Sequence, residues 1–154
     1  MKSSILLLIA ITGLLTACQN KSPEQKIDSL ATAPDTAAVV DKACYAYIKN
    51  KDTASLSLKK AGNAVSGELD YNFYEKDKNS GTITGLIKGD TIVADYTFNA
   101  EGTSSVREVI FIKKGDQLAE GYGPMEDKGG KTVFTDKGKV KFGDFVSFSP
   151  IPCK

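Results

Sequence analysis

Apolar and polar residues alternate with a period of two along most of the chain downstream of Cys44, and that period predicts β-strands. Ala54, Leu56 and Leu58 alternate with Ser55, Ser57 and Lys59. After Gly62-Asn63, residues Val65, Gly67, Leu69, Tyr71 and Phe73 alternate with Ser66, Glu68, Asp70 and Asn72, the cleanest strand of the sequence. Ile83, Gly85 and Ile87 follow Gly81 on one face. A tight turn at Lys88-Gly89-Asp90 then leads to Ile92, Ala94, Tyr96 and Phe98, set against Val93, Asp95 and Thr97. A turn over 99–102 precedes a long strand over 104–113, and Gly115-Asp116 turns into 117–122. The tail offers shorter strands at 132–134, 139–142 and 145–148.

The predicted fold is therefore all-β: an antiparallel up-and-down meander of about eight strands, joined mostly by hairpins and without a helical crossover. Closure into a small barrel removes the exposed edges that an open sheet would present. Cys44 begins the first strand and Cys153 follows the last, so a bond between them requires the two ends of the meander side by side. A barrel meets that requirement, and so would a two-layer sandwich. Register follows from charge. Leu69, Tyr71, Phe73, Ile92, Tyr96 and Phe98 face inward, because a slip of one residue would bury Glu68, Asp70 or Asp95 instead.

The first residues read differently. Met1-Lys2 is a positive start, and the apolar run from Ile5 to Leu15 is too short for a bilayer span, which takes ~20 residues. It matches the apolar region of a removable signal peptide. Leu15-Thr16-Ala17-Cys18 resembles the lipobox of bacterial lipoproteins. That resemblance implies a signal peptide over 1–17, cleavage before Cys18 and lipid on Cys18, so that the membrane is a partner through the acyl chains. Gln19 stands where aspartate retains enteric lipoproteins at the inner membrane, which implies an outer-membrane anchor facing the periplasm. Residues 18–42, rich in alanine, threonine and polar side chains, read as a lipidated tether. The β-domain occupies 43–154.

Charge narrows the partners. The 20 basic residues lose Lys2 with the signal segment and the 19 acidic residues lose none, so the remainder is formally neutral. Nucleic acid, which demands a basic face, is not an expected partner. Nothing in the composition asks for an oligomer, and a monomer is expected. Cys18 is spoken for by lipid, leaving Cys44 and Cys153 as an even pair in an exported chain. A disulfide would close a loop of about 110 residues, for which chain entropy suggests ~4–5 kcal/mol. Two free thiols or zinc ligation are the alternatives, although zinc lacks its usual ligands here.

The sequence contains no histidine, which excludes histidine-based triads and proton shuttles. No phosphate-binding loop, nucleophile elbow or dinucleotide fingerprint occurs. No enzymatic activity, cofactor or metal is expected. The strand over 104–113 is the exception to clean patterning: Val106, Glu108, Ile110 and Ile112 share one face, and Arg107, Val109 and Phe111 the other. Whichever face turns inward carries a charge, which must be paired, hydrated or awaiting a ligand. Glu120, alternating with Leu118 and Tyr122, could meet Arg107.

The layout of lipid anchor, tether, short strands and end-to-end cysteines resembles the small lipocalin-like barrels of bacterial envelope lipoproteins. The stretch from Tyr71 to Gly81 and that from Glu101 to Glu108 are similar to uncharacterised lipoproteins of Bacteroidetes type, which bring no activity with them. Gly67, Gly85 and Ala94 would leave room inside the barrel opposite Tyr71, Tyr96 and Tyr122, or would only relieve its curvature. The first option gives a non-enzymatic binding module for a small amphipathic ligand, held by Tyr71, Tyr96, Arg107, Glu108, Glu120 and Tyr122. The second reading is a protein-binding envelope lipoprotein, an inhibitor or stress sensor acting through its loops. A filled interior with apolar loop tips would favour that second reading, and an open cavity lined by the tyrosines the first.

Overall fold

The computed structural model describes residues 41–100 and 102–154. The signal segment over 1–17, Cys18 and the tether as far as residue 40 lie outside the described residues. Among the described residues ten strands follow one another: β1 (Asp41–Lys49), β2 (Asp52–Ala61), β3 (Ala64–Asn72), β4 (Asn79–Lys88), β5 (Thr91–Ala100), β6 (Thr103–Lys114), β7 (Gln117–Tyr122), β8 (Met125–Asp127), β9 (Lys131–Phe134) and β10 (Lys141–Ile151). β1 to β7 pair in sequence as antiparallel neighbours, β10 pairs with both β7 and β1, and these eight strands close an antiparallel barrel. The closing seam is short. It joins Cys44, Tyr45 and Ala46 to Ile151, Pro150 and Ser149, and the Cys44–Cys153 disulfide lies beside it with 5.2 Å between Cα atoms.

The connection from β7 to β10 departs from a plain meander. β7 pairs with β6 only from Phe111 to Lys114, which frees one edge of the first half of β6. An unpaired edge leaves backbone donors and acceptors unsatisfied. β9 takes part of it in parallel, Val106 opposite Lys131 and Arg107 opposite Thr132, and β8 folds back on β9. The two tail strands expected over 139–142 and 145–148 are one strand, β10, broken by a register shift between Phe142 and Ser147. A bulge of this kind bends a strand without ending it. β8, whose side chains are exposed, carries no apolar alternation and left no signal in the sequence.

The inward faces are those the alternation assigns. Leu69, Tyr71, Ile92 and Tyr96 are buried, with Phe73 and Phe98 packed partly buried against the same core. Tyr96, Phe111, Phe148, Leu56, Leu58, Leu69 and Ile83 are almost wholly removed from water, so side chains fill the middle of the barrel. The glycines do not hold space open. A Cβ on Gly67 would fall 1.8 Å from the carbonyl oxygen of Ser57, and one on Gly85 would fall 2.2 Å from that of Val93. At these positions the neighbouring strand curls across the inner face, so glycine serves barrel curvature.

Register is open to direct measurement. Leu69→Ala, which empties a site with 0% exposure, should cost ~2–5 kcal/mol, the range for truncating a buried leucine. Glu68→Ala, on the exposed face of the same strand, should shift stability by no more than ~0.5 kcal/mol. Urea denaturation of the two variants side by side is the check, and equal losses would refute the inward face.

Candidate functional site

Strands β1, β3, β5 and β7 end, and β4, β6 and β10 begin, at the same end of the barrel. The topology therefore gathers the last inward side chains of several strands around one mouth. β3 brings Tyr71 and Phe73, β5 brings Tyr96 and Phe98, β6 brings Arg107, and β7 brings Glu120 and Tyr122. Register places Tyr96 directly opposite Arg107 and Phe111 opposite Glu120. Of the two possible faces of β6, the one with Arg107, Val109 and Phe111 points inward.

Glu120 is 5% exposed. The hydroxyl of Tyr71 donates to its Oε1 at 2.8 Å, and that of Tyr122 to its Oε2 at 3.5 Å, the limit of hydrogen-bonding distance. The Arg107 guanidinium approaches the same Oε1 to 3.9 Å, an ion pair without a hydrogen bond. Arg107 sits instead among ring faces, 5.3 Å from the centroid of Tyr71, 5.5 Å from Tyr96 and 5.8 Å from Phe98. Such faces attract a cation electrostatically. The rings form a continuous set, with centroids 5.5 Å apart for Tyr71–Phe73, 5.9 Å for Tyr71–Tyr96 and 4.8 Å for stacked Tyr96–Phe98. Among the described residues, two buried side-chain polar atoms have no hydrogen-bond partner, the Tyr96 hydroxyl and the Arg107 Nε.

Above these groups lies a cavity of 280 Å³, lined by Tyr71, Phe73, Arg107, Glu120 and Tyr122 together with Lys76 and Asp77 of the β3–β4 connection, Asn79 at the start of β4 and Phe145 of β10. Phe145 stands edge-on to Tyr122, 5.0 Å between centroids, although it is itself 66% exposed. The register shift in β10 carries it there. A sequence signal for this existed: Phe145 and Val146 are adjacent apolar residues, and one of them must face outward in a strand. Lys76, Asp77 and Asn79 had no such signal, because only the folded β3–β4 connection brings them over the mouth.

The structure brings together Tyr71, Arg107, Glu120 and Tyr122, and places Tyr96 beneath Arg107 without lining the cavity. It does not bring Glu108 to them. Glu108 lies on the opposite face of β6, outside the barrel, yet it is 6% exposed because the β9 segment covers it. There its Oε1 meets Lys137 Nζ at 2.7 Å and its Oε2 accepts from the backbone N–H of Phe134 at 3.3 Å. With both oxygens engaged by the chain itself, Glu108 is a fastening for the β7–β10 excursion and no part of the mouth. Lys131 on β9 also pairs with Asp95 on β5.

Burial pushes the Glu120 carboxyl above its ordinary range, against the opposing pull of the Tyr71 hydroxyl, Arg107 and Tyr122. The Tyr71 hydroxyl is raised by burial and then by the Glu120 charge, and burial likewise raises Tyr96 and Tyr122. The three hydroxyls thus remain neutral, and those of Tyr71 and Tyr122 donate to Glu120. No protein-family model, curated protein or solved structure matches the chain.

The raised carboxyl has a measurable consequence. A folded state that holds this proton more tightly than the unfolded chain does is favoured at low pH. That contribution is complete below the unfolded glutamate value of about 4.3 and declines as pH rises to the folded value. Glu120→Gln should remove this slope. Its stability relative to the unmodified protein should therefore climb through the window and level off above it, as read from urea midpoints over a pH series. A relative stability that falls through the same window would show that Arg107 and the tyrosines outweigh burial.

Proposed function

We propose that the chain is a lipoprotein of the bacterial envelope, anchored through lipid on Cys18 in the outer membrane facing the periplasm. In this reading it is a monomeric, non-enzymatic binding module for a small amphipathic ligand. The observation that carries the binding reading is the mouth cavity, where a guanidinium with an unpartnered Nε and a buried carboxylate lie among aromatic rings. Aromatic walls with a few convergent polar groups are the usual make-up of a ligand site. Because side chains fill the middle of the barrel, the ligand would sit at the mouth, not deep within. A volume of 280 Å³ suits a small molecule or one end of a longer one. The anchor reading is supported by the signal-like segment and Leu15-Thr16-Ala17-Cys18.

One observation favours the second reading, a protein-binding lipoprotein acting through its loops. Ile48, Tyr74 and Phe145 are exposed apolar side chains at the mouth end, above the filled interior.

For the anchor, intact-mass analysis of membrane-extracted protein should give a chain beginning at Cys18 and heavier by its acyl groups. Cys18→Ser should accumulate as precursor and leave the detergent phase. Cleavage elsewhere without added lipid defeats that reading.

For the mouth, the fluorescent amphiphile 8-anilinonaphthalene-1-sulfonate should bind at one site, and Tyr122→Ala should weaken it about tenfold. Leu86→Ser, which removes an exposed apolar side chain of β4, should leave binding unchanged. Equal effects at Tyr122 and Leu86 would mean nonspecific adsorption. In that case a photo-crosslinker at Ile48 or Tyr74 joining one defined envelope protein would establish the second reading.

A further inference from the structure

Arg107 is the group in the mouth whose chemistry is least satisfied by the chain. Its planar fork of N–H donors is built to meet an oxyanion edge-on. Its rings, Tyr71, Tyr96 and Phe98, engage the cation by their faces and accept none of those protons in the usual way. The nearest carboxylate is Glu120, which at 3.9 Å stands beyond hydrogen-bonding distance and has its oxygens turned to Tyr71 and Tyr122. Nε is buried without any partner. Lys76 is a second cation in the cavity lining, while Phe73, Tyr122 and Phe145 supply apolar surface beside it.

We infer that the mouth receives an oxyanion headgroup on a short apolar chain, with Arg107 as its receptor, Lys76 as a second attraction and Glu120 as the counter-ion it competes with. The inference rests on the proposed small-ligand reading and names its ligand class. An ammonium headgroup would meet Arg107 and Lys76 at close quarters and find the Glu120 oxygens already accepting from two hydroxyls. An uncharged headgroup such as a hydroxyl offers the fork one neutral acceptor and leaves the guanidinium charge uncompensated, which is costly in a partly buried site. A carboxylate, sulfate or phosphate supplies the acceptors that the fork lacks.

Competition with Glu120 makes binding depend on pH. The ionisable groups around that carboxylate are Arg107 from β6, Tyr71 from β3, Tyr96 from β5 and Tyr122 on β7 itself, with Tyr47 from β1 beside Tyr122. Lys76 and Asp77 lie over it in the β3–β4 connection. Burial keeps Tyr71, Tyr96 and Tyr122 neutral and holds the Glu120 proton more tightly than in water. Protonation of Glu120 removes the negative charge nearest Arg107, so an anion that keeps its own charge should bind more tightly as pH falls.

The experiment is calorimetric titration of the folded protein with octyl sulfate, octanoate, octyl phosphate, octylammonium and octanol. Octyl sulfate keeps its charge across the pH range and reports on the protein alone. The three anions should bind while the cation and the alcohol do not, and the ranking of the anions distinguishes a carboxylate from a phosphate or sulfate source. Arg107→Gln should weaken octyl sulfate about ten- to a hundredfold, the worth of a charged hydrogen bond expressed as affinity. Glu120→Gln should tighten it at neutral pH by roughly tenfold and abolish its pH dependence, whereas Asp77→Asn should preserve that dependence. The pH series on unmodified protein needs no variant, and so stands even if Arg107→Gln fails to fold. Equal binding of octylammonium or octanol, sensitive to Tyr122→Ala, overturns the anion assignment while leaving the small-ligand reading intact. Binding by none of the probes, Glu120→Gln included, overturns both.

Discussion

Closure of the sheet between its first and last strands is the constraint that the rest of this structure answers to. β1 and β10 meet over only Cys44, Tyr45 and Ala46, and one of the facing residues is Pro150, which has no N–H to give. The rest of β1 pairs only with β2. A seam this short would open readily on its own, and opening it would expose two strand edges and wet the inner faces of the whole barrel. The Cys44–Cys153 bond fastens that seam. It acts where the ladder is weakest, and it spans 109 residues of chain, so the unfolded state loses much of its freedom as well.

Within the closed sheet, large side chains such as Tyr96, Phe111, Phe148 and Leu69 pack the interior. The large and small side chains of adjacent strands alternate across the register, Leu69 against Gly81, Gly67 against Ile83, and Val65 against Gly85. The glycines lie where the next strand curls inward, so the space they forgo is occupied by backbone. β6 then presents a forced choice, because each of its faces bears a charge. Turning Arg107 inward places a delocalised cation against ring faces, beside a carboxylate from β7. Turning Glu108 outward places a carboxylate where Lys137 and the Phe134 N–H can reach it. The opposite choice would set Glu108 among tyrosine faces, whose quadrupole repels an anion. Each charge thus sits beside the environment able to receive it.

The same reasoning marks what the sequence could disclose. Strict alternation around Leu69 and Tyr96 made strands, register and inner face legible, since a slip of one residue would bury acids. The cysteine spacing made closure legible. The conflict on β6 was legible as a conflict, though not its resolution: nothing local says that β9 will cover Glu108, because β9 reaches β6 through a parallel pairing of only Val106 and Arg107 with Lys131 and Thr132. Both Arg107 and Glu108 stood as candidates because adjacent strand residues face opposite ways and the strand alone does not say which face turns inward. The bulge in β10 was read as two strands because its apolar period breaks at Gly143, although the ladder to β7 resumes beyond it.

The placement of the mouth follows from strand parity. β1 begins at Asp41 at the end of the barrel opposite the mouth, and β10 finishes beside it at Ile151 with the disulfide close by. Any tether upstream of Asp41 therefore joins the barrel at the far end from Arg107 and Glu120. The excursion through β8 and β9 ends in the stretch of β10 that presents Phe145, so the ion pairs Lys137–Glu108 and Lys131–Asp95 that hold the excursion to the outer wall also set one rim of the mouth.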